Sequence, residues 1–145
     1  MQDQPKTNRK SPASIVAALT LSAAFAATTY AADKPMGAPW NAPSSASSKK
    51  NPVSADKASV RKGKKLYKAA CLPCHGARGK GNGAAAVALP IHPGNLTDSK
   101  RMKGQSDGAI FWKMSEGRGP MPPFKAAFSD TDRWNILNYI RTLAK

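Results

Sequence analysis

Cys71-Leu72-Pro73-Cys74-His75 holds the two cysteines of the chain, three residues apart, with a histidine directly after the second. Thiols at this spacing can add to the two vinyl groups of a haem while the adjacent imidazole binds its iron, and Cys-x-x-Cys-His is the sequence form of such a c-type attachment site. One helical turn brings the three groups to one side, because residues three and four apart are neighbours on a helix. Other chemistry fits less well. A zinc site takes about four ligands, and here only His92 and scattered acids remain, with no second cysteine pair. Pro73 inside the pair also suits a thiol-exchange site, but that motif follows a strand and opens a helix in a βαβ unit. Cys71 instead follows a Lys-rich helical segment. A disulfide between Cys71 and Cys74 would close a tiny, strained ring.

An iron that changes charge with little rearrangement is best held from both sides. A thioether opposite histidine raises the reduction potential. Met121 is the leading candidate, in Gly117-Arg118-Gly119-Pro120-Met121-Pro122-Pro123. The flanking prolines remove backbone freedom and block a helix, which suits a side chain that must point at one place. Met114 lies in an apolar helical stripe and reads as core filler. Met102, in a basic turn, reads as exposed or peripheral. His92, in Pro90-Ile91-His92-Pro93, is the competing ligand, and bis-histidine ligation would lower the potential.

Helices must position these residues. From Ser54 to Lys145 no alternating strand pattern occurs and the apolar spacing is helical, so the expected fold is all-α. The first helix is expected from about Ala55 to Ala70, capped by Ser54 or Asp56, with Val60, Gly63, Tyr67 and Ala70 on one stripe. Glycine inside a helix costs about 1 kcal/mol against alanine, and a close helix crossing at Gly63 would offset that. The last helix is expected from about Asp130 to Ala144, with Ser129 as N-cap and Asp132 completing a weak capping box. Its stripe is Ile136, Leu137, Ile140, Leu143 and Ala144, flanked by Trp134 and Tyr139, and it is expected to cross the first helix at Gly63. A helix from Asp107 to Glu116, ended by Gly117, turns Ile110, Phe111 and Met114 inward, and a short helical turn is expected over Thr97–Lys103. Gly76–Pro93 has neither the pattern nor the preceding strand of a phosphate loop and reads as a loop wrapping the cofactor. So short a domain builds little core alone; a buried haem would give its side chains an apolar body to pack around.

Residues 1–31 read as a secretory signal. Lys6, Arg9 and Lys10 precede an apolar run from Ile15 to Ala27, and small residues allow cleavage after Ala31. That run is 13 residues, short of the ~20 that a spanning helix needs; left uncleaved, it would tether the chain to a membrane. Either way the folded part lies outside the cytoplasm, with a bacterial periplasm as the expected compartment. Residues 32–53, rich in Pro, Ala and Ser and without hydrophobic period, read as a flexible linker that Met36 and Trp40 could dock. Residues 54–145 form the domain. The whole chain carries a formal +15, and from Ala32 onward 20 Lys and Arg stand against 7 Asp and Glu, a formal +13. A field of this sign steers an acidic partner, or an anionic lipid surface. Basic residues spread along an exported chain do not point to nucleic acid.

Gly63, Tyr67, Cys71, Cys74, His75 and Gly76, with Asp107-Gly108, Phe111-Trp112, Gly117 to Pro122 and Trp134 to Arg141, resemble the class I c-type cytochromes of the small bacterial monohaem kind, over about residues 54–145. The resemblance implies a cytochrome c fold: three to five helices wrapped around one covalently bound haem c, the terminal helices crossing beside it. It implies thioether bonds at Cys71 and Cys74, His75 as proximal ligand and Met121 as distal ligand. A proline carbonyl in that family often accepts the proximal N–H; Pro93, then Pro90, are the candidates. The expected function is single-electron transfer between redox partner proteins with acidic docking surfaces, through an exposed haem edge near Lys80 and Lys125. The alternative is a haem-bearing subunit of a larger dehydrogenase or oxidase, with residues 32–53 as a docking arm. A sensor or enzyme with an open iron site would require that Met121 not coordinate. No Ser/His/Asp arrangement and no paired carboxylates mark a catalytic set.

Overall fold

The computed structural model describes residues 39–144; the expected signal over 1–31 and residues 32–38 lie outside that range. In chain order the described elements are α1 (Ser44–Ser47), α2 (Lys57–Ala70), α3 (Leu72–His75), a 3-10 turn (Ala84–Ala88), α4 (Ser99–Lys103), α5 (Asp107–Glu116) and α6 (Asp130–Leu143). The fold is all-α, as the periodicity requires. A single antiparallel bridge, between Arg118 and Met121, is the one β feature among the described residues.

Side-chain caps set the helix starts. Asp56 accepts from Ser59 N at 2.8 Å, Asp98 from Arg101 N at 3.0 Å, Ser106 from Ala109 N at 3.2 Å and Ser129 from Asp132 N at 3.1 Å. Each satisfies an N–H that the helix itself leaves unpaired. Of the two caps expected for α2, Asp56 is therefore the one used, and Ser54 lies outside the helix.

The α2 and α6 helices cross at Gly63. A Cβ added there would lie 1.8 Å from the Asn135 carbonyl oxygen, so only glycine lets the two backbones approach this closely. Around the contact, Tyr67, Ile136, Leu137 and Ile140 are buried. α6 is covered on more than the expected stripe. Every residue from Arg133 to Tyr139 is buried as well, because α2 lies on one side and α5 on another.

Polar groups are threaded through the same contact. Ser59 Oγ donates to Asn135 Oδ1 at 2.6 Å and accepts from Asn138 Nδ2 at 2.8 Å. Asn138 Oδ1 in turn accepts from Asn51 Nδ2 at 2.7 Å. On the far face of α6, Trp134 stacks on Phe111 with ring centroids 3.9 Å apart, and the buried Arg133 guanidinium lies 4.6 Å from the Phe111 centroid. Arg133 donates to Ser115 and Asp130. Arg141 ties α6 to the start of α5, with Nε 2.8 Å from Asp107 Oδ1 and Nη2 2.7 Å from the Gln105 carbonyl.

Residues 39–53 are not the free linker that their composition suggests. They form a strap along α5 and α6. A Cβ on Gly108 would meet the Ala46 carbonyl at 2.1 Å, Ser106 Oγ donates to the Ser47 carbonyl at 2.7 Å, and Lys49 Nζ sits 4.9 Å from the Phe111 centroid. Long-range hydrogen bonds, which composition does not report, supply the order that Pro and Ser locally withhold.

Candidate functional site

Beyond the crossing, α2 and α6 contribute Tyr67, Ala70 and Ile140 to a cavity of about 550 Å³. That size falls within the ~300–1,000 Å³ usual for ligand and cofactor pockets. Tyr67, Ala70, Ile110, Met114 and Ile140 give it an apolar wall from three helices, and Cys71, Cys74, His75 and Met121 also line it. The one-turn helix α3 carries the second cysteine and the histidine, and Cys71 is its N-cap.

His75 stands in a defined state. Its Nδ1 lies 3.2 Å from the Gly94 carbonyl oxygen. A carbonyl can only accept, so Nδ1 carries the proton and Nε2 keeps its lone pair for an incoming metal. Burial pushes its pKa below the ordinary value, with the Gly94 bond opposing and the nearby Arg101 charge adding to the depression, which favours the neutral imidazole. The expected acceptors were Pro93 and Pro90; Gly94 takes the place of both. The Pro93 carbonyl is turned to Gly81, where a Cβ would sit 2.2 Å from its oxygen and φ is +81°. Glycine accommodates both the contact and that φ.

Cys71 is 8 % exposed. Burial, with a smaller contribution from the Cys74 sulfur, pushes its thiol up to about 12. A thiol so far from ionisation is a poor nucleophile for disulfide exchange, which agrees with the sequence argument against that chemistry. Tyr67, fully buried, donates its hydroxyl to the Gly76 carbonyl at 2.8 Å and pins the backbone just after the motif.

Met121 is half-buried and lines the same cavity. Its N–H donates to the Arg118 carbonyl at 3.3 Å and its carbonyl accepts from Arg118 N at 3.0 Å. These bonds close a tight hairpin, which Phe124 N anchors to the Met114 carbonyl at 3.1 Å. The rigidity expected from the prolines is thus reinforced by pairing. His92 lines the same cavity but is exposed. Met102 is a correction. It is 2 % exposed and lines the cavity, because α4 lies against the pocket with Met102 turned inward while Lys100 and Lys103 are exposed.

The cations of the cavity were also missed. Arg101, Lys113 and Arg118 line it; Lys80 and Lys125 do not, and Lys125 is paired with Glu116 at 2.8 Å. Nothing in the spacing of Arg101, Lys113 and Arg118 marks them, since they stand on α4, α5 and the Met121 hairpin. Among the described residues no group of three His, Cys, Asp or Glu side chains converges as a metal site. No described helix is long and apolar enough to cross a membrane.

The donor set suits a haem: two sulfurs, an imidazole and a thioether line one cavity with apolar side chains and three cations. The α2 and α6 helices crossing beside such a cavity make this a c-type-cytochrome-related fold. Residues 58–140 match the profile of cytochrome c oxidase, cbb3-type, subunit III, and the chain belongs to that family. It is 32 % identical over 89 residues to the Cbb3-type cytochrome c oxidase subunit FixP of Azorhizobium caulinodans, an alignment covering 61 % of this chain and 28 % of that protein. Among solved structures it is similar to the Kuenenia stuttgartiensis reducing HAO-like protein complex Kustc0457/Kustc0458, at TM-score 0.60 and 31 % identity over 65 % of this chain and 47 % of that one. It is also similar to the KustC0563 c-type cytochrome, at TM-score 0.50 and 27 % identity, covering 57 % of this chain and 98 % of that one. The chain therefore spans less than a third of the curated relative and about half of the first structural one.

Proposed function

We propose that the chain is a haem-bearing electron-transfer subunit of a larger redox complex in the periplasm, holding one haem c through Cys71 and Cys74 with His75 and Met121 as axial ligands. One observation carries this reading: Cys71, Cys74, His75 and Met121 line a single apolar cavity. A haem bound there supplies a one-electron couple. The protein residues do the rest. Cys71 and Cys74 offer the sulfurs for attachment, and α3 fixes their spacing. Gly94 orients the His75 ring and leaves Nε2 as the ligand atom. The Arg118–Met121 pairing holds the thioether side in place. Met121 is preferred to His92 because its hairpin is pinned at both ends and half-buried, whereas His92 faces solvent.

The relatives named for multi-subunit assemblies favour the subunit reading over a free carrier. The 98 % coverage of KustC0563 supports a second reading, a self-contained carrier that meets acidic partners in solution. Co-purification at fixed stoichiometry separates the two. The binding set is tested by the intact mass and the visible spectra of the purified holoprotein in both redox states. Covalent haem is expected, with the weak red band of methionine bound to ferric iron. Met121→Ala should abolish that band; its survival would remove Met121 from the ligand set. A mass equal to bare polypeptide after export with haem supply would overturn the whole reading.

A further inference from the structure

The outer side of α2 is strongly basic. The helix carries Lys57, Arg61, Lys62, Lys64, Lys65 and Lys68 and no acidic residue. At about 3.6 residues per turn, Lys57, Arg61, Lys64, Lys65 and Lys68 fall within about 100° of its circumference and along about 16 Å of its length. Its buried residues, Ser59, Gly63 and Tyr67, lie on the side packed against α6. All five cations of the stripe are exposed, and among the described residues none of them has an acidic partner. Lys62, off the stripe, is the α2 cation that does, at 2.8 Å from Asp132. Asp56, at the N-cap, accepts from Ser59 N.

Like charges four apart on a helix repel, as Lys57 and Arg61, Arg61 and Lys65, and Lys64 and Lys68 do here. The crossing at Gly63, where a Cβ would meet the Asn135 carbonyl oxygen at 1.8 Å, holds the helix against that repulsion and presents the stripe ready-made. Four of the five cations are lysines, compact charges on flexible stems rather than forks built for a fixed carboxylate. The exposed residues beside them are Ala58 and Ala69. They offer no aromatic or large aliphatic anchor for the buried centre of a protein interface, from which lysine is itself depleted. A row of mobile charges without an anchor matches a surface of mobile anionic headgroups. Tyr67 and Ala70, outside the stripe, line the cavity, so contact through the stripe leaves the cavity side of α2 turned from that surface.

We propose that the outer side of α2 is a membrane-docking surface, which binds anionic lipid headgroups through Lys57, Arg61, Lys64, Lys65 and Lys68. This docking is independent of the haem reading, since no residue of the stripe lines the cavity.

The test is sedimentation of the purified exported holoprotein with vesicles of phosphatidylglycerol and phosphatidylcholine in equal parts, at low salt. Binding is expected, with none to phosphatidylcholine alone and release in about 1 M salt, where screening shortens to about 3 Å. Each basic residue at an anionic membrane is worth about fivefold in affinity, so Lys57→Gln, Lys64→Gln and Lys68→Gln combined should weaken binding about 100-fold. The same three changed to Arg should bind as wild type. Lys50→Gln, Lys80→Gln and Lys103→Gln combined remove the same charge from exposed sites off α2 and should weaken binding less than about tenfold. Glutamine and arginine are good helix formers, so these exposed substitutions leave α2 intact. Equal losses in the two Gln sets overturn the stripe and leave net charge alone. Loss in the Arg set overturns charge as its basis. Binding that survives about 1 M salt in every variant assigns the lipid contact to another segment and overturns the stripe as well. A wild-type chain that ignores the vesicles overturns the lipid surface, and if the α2 Gln set then slows electron exchange with an acidic redox protein, the stripe docks protein instead.

Discussion

At the α2–α6 crossing a single Cβ on Gly63 would come within 1.8 Å of backbone oxygen, yet further along, Tyr67 and Ile140 of the same two helices line a cavity of about 550 Å³. The crossing is dense, polar-threaded and closed by protein groups alone. The cavity is lined by apolar side chains, with an imidazole, two thiols, a thioether and three cations among them. The contrast separates two kinds of residue. At the crossing, side chains are fixed by each other, and substitution should be read in stability. Around the cavity His75 and Tyr67 are fixed by backbone carbonyls, and substitution should be read in the spectrum and potential.

The comparison breaks most severely at Gly63. Gly63→Val places side-chain atoms inside the α6 backbone, so a loss of more than about 3 kcal/mol is expected. Denaturant unfolding should show it, and a near-wild-type midpoint would mean the helices cross elsewhere. Met102→Ala lies on the boundary between the two regions. It should cost about 2–5 kcal/mol, the range for deleting a buried methionine, while the methionine–iron band persists. Loss of that band would make Met102 the ligand. Asn138→Ala leaves Ser59 and Asn51 without their shared partner, and buried groups so stranded cost about 1–3 kcal/mol. The spectrum should not change, and equal stability to wild type would show the network to be dispensable.

The smallest effect is expected with pH. Hydrogen bonds from Lys62 and Ser129 hold the Asp132 carboxyl below the usual carboxylate range. Its folded pKa lies below the unfolded one, so its contribution is fully present above the unfolded value. The contribution fades as pH falls through the folded value. Lys62→Met should flatten this acid limb slightly. An unaltered limb would show the pair to be inert, as many exposed ion pairs are.

The sequence made the long helices and their meeting point legible because caps and apolar spacing are local signals. Asp107–Glu116 was read to the residue, and Gly63 was legible because a glycine inside a good helix needs a reason. The strap was not, because its order comes from partners 87 and 59 positions away, Asn138 for Asn51 and Ser106 for Ser47. Met102 was misplaced because exposed Lys100 and Lys103 describe the outer side of α4 and say nothing of the inner one. Gly94 was missed because the direction of a carbonyl in a glycine- and proline-rich loop is set by tertiary contacts such as that between Gly81 and Pro93. The cavity cations escaped because three elements had to be assembled before they lined one pocket.

The bond between Ser59 and Asn135 joins residues 76 positions apart. Closing so long a loop carries an entropic cost that only the completed contact repays, and contacts of this range slow folding. The crossing therefore forms only once α6 has been delivered, and the placement of one glycine fixes where that long loop must close.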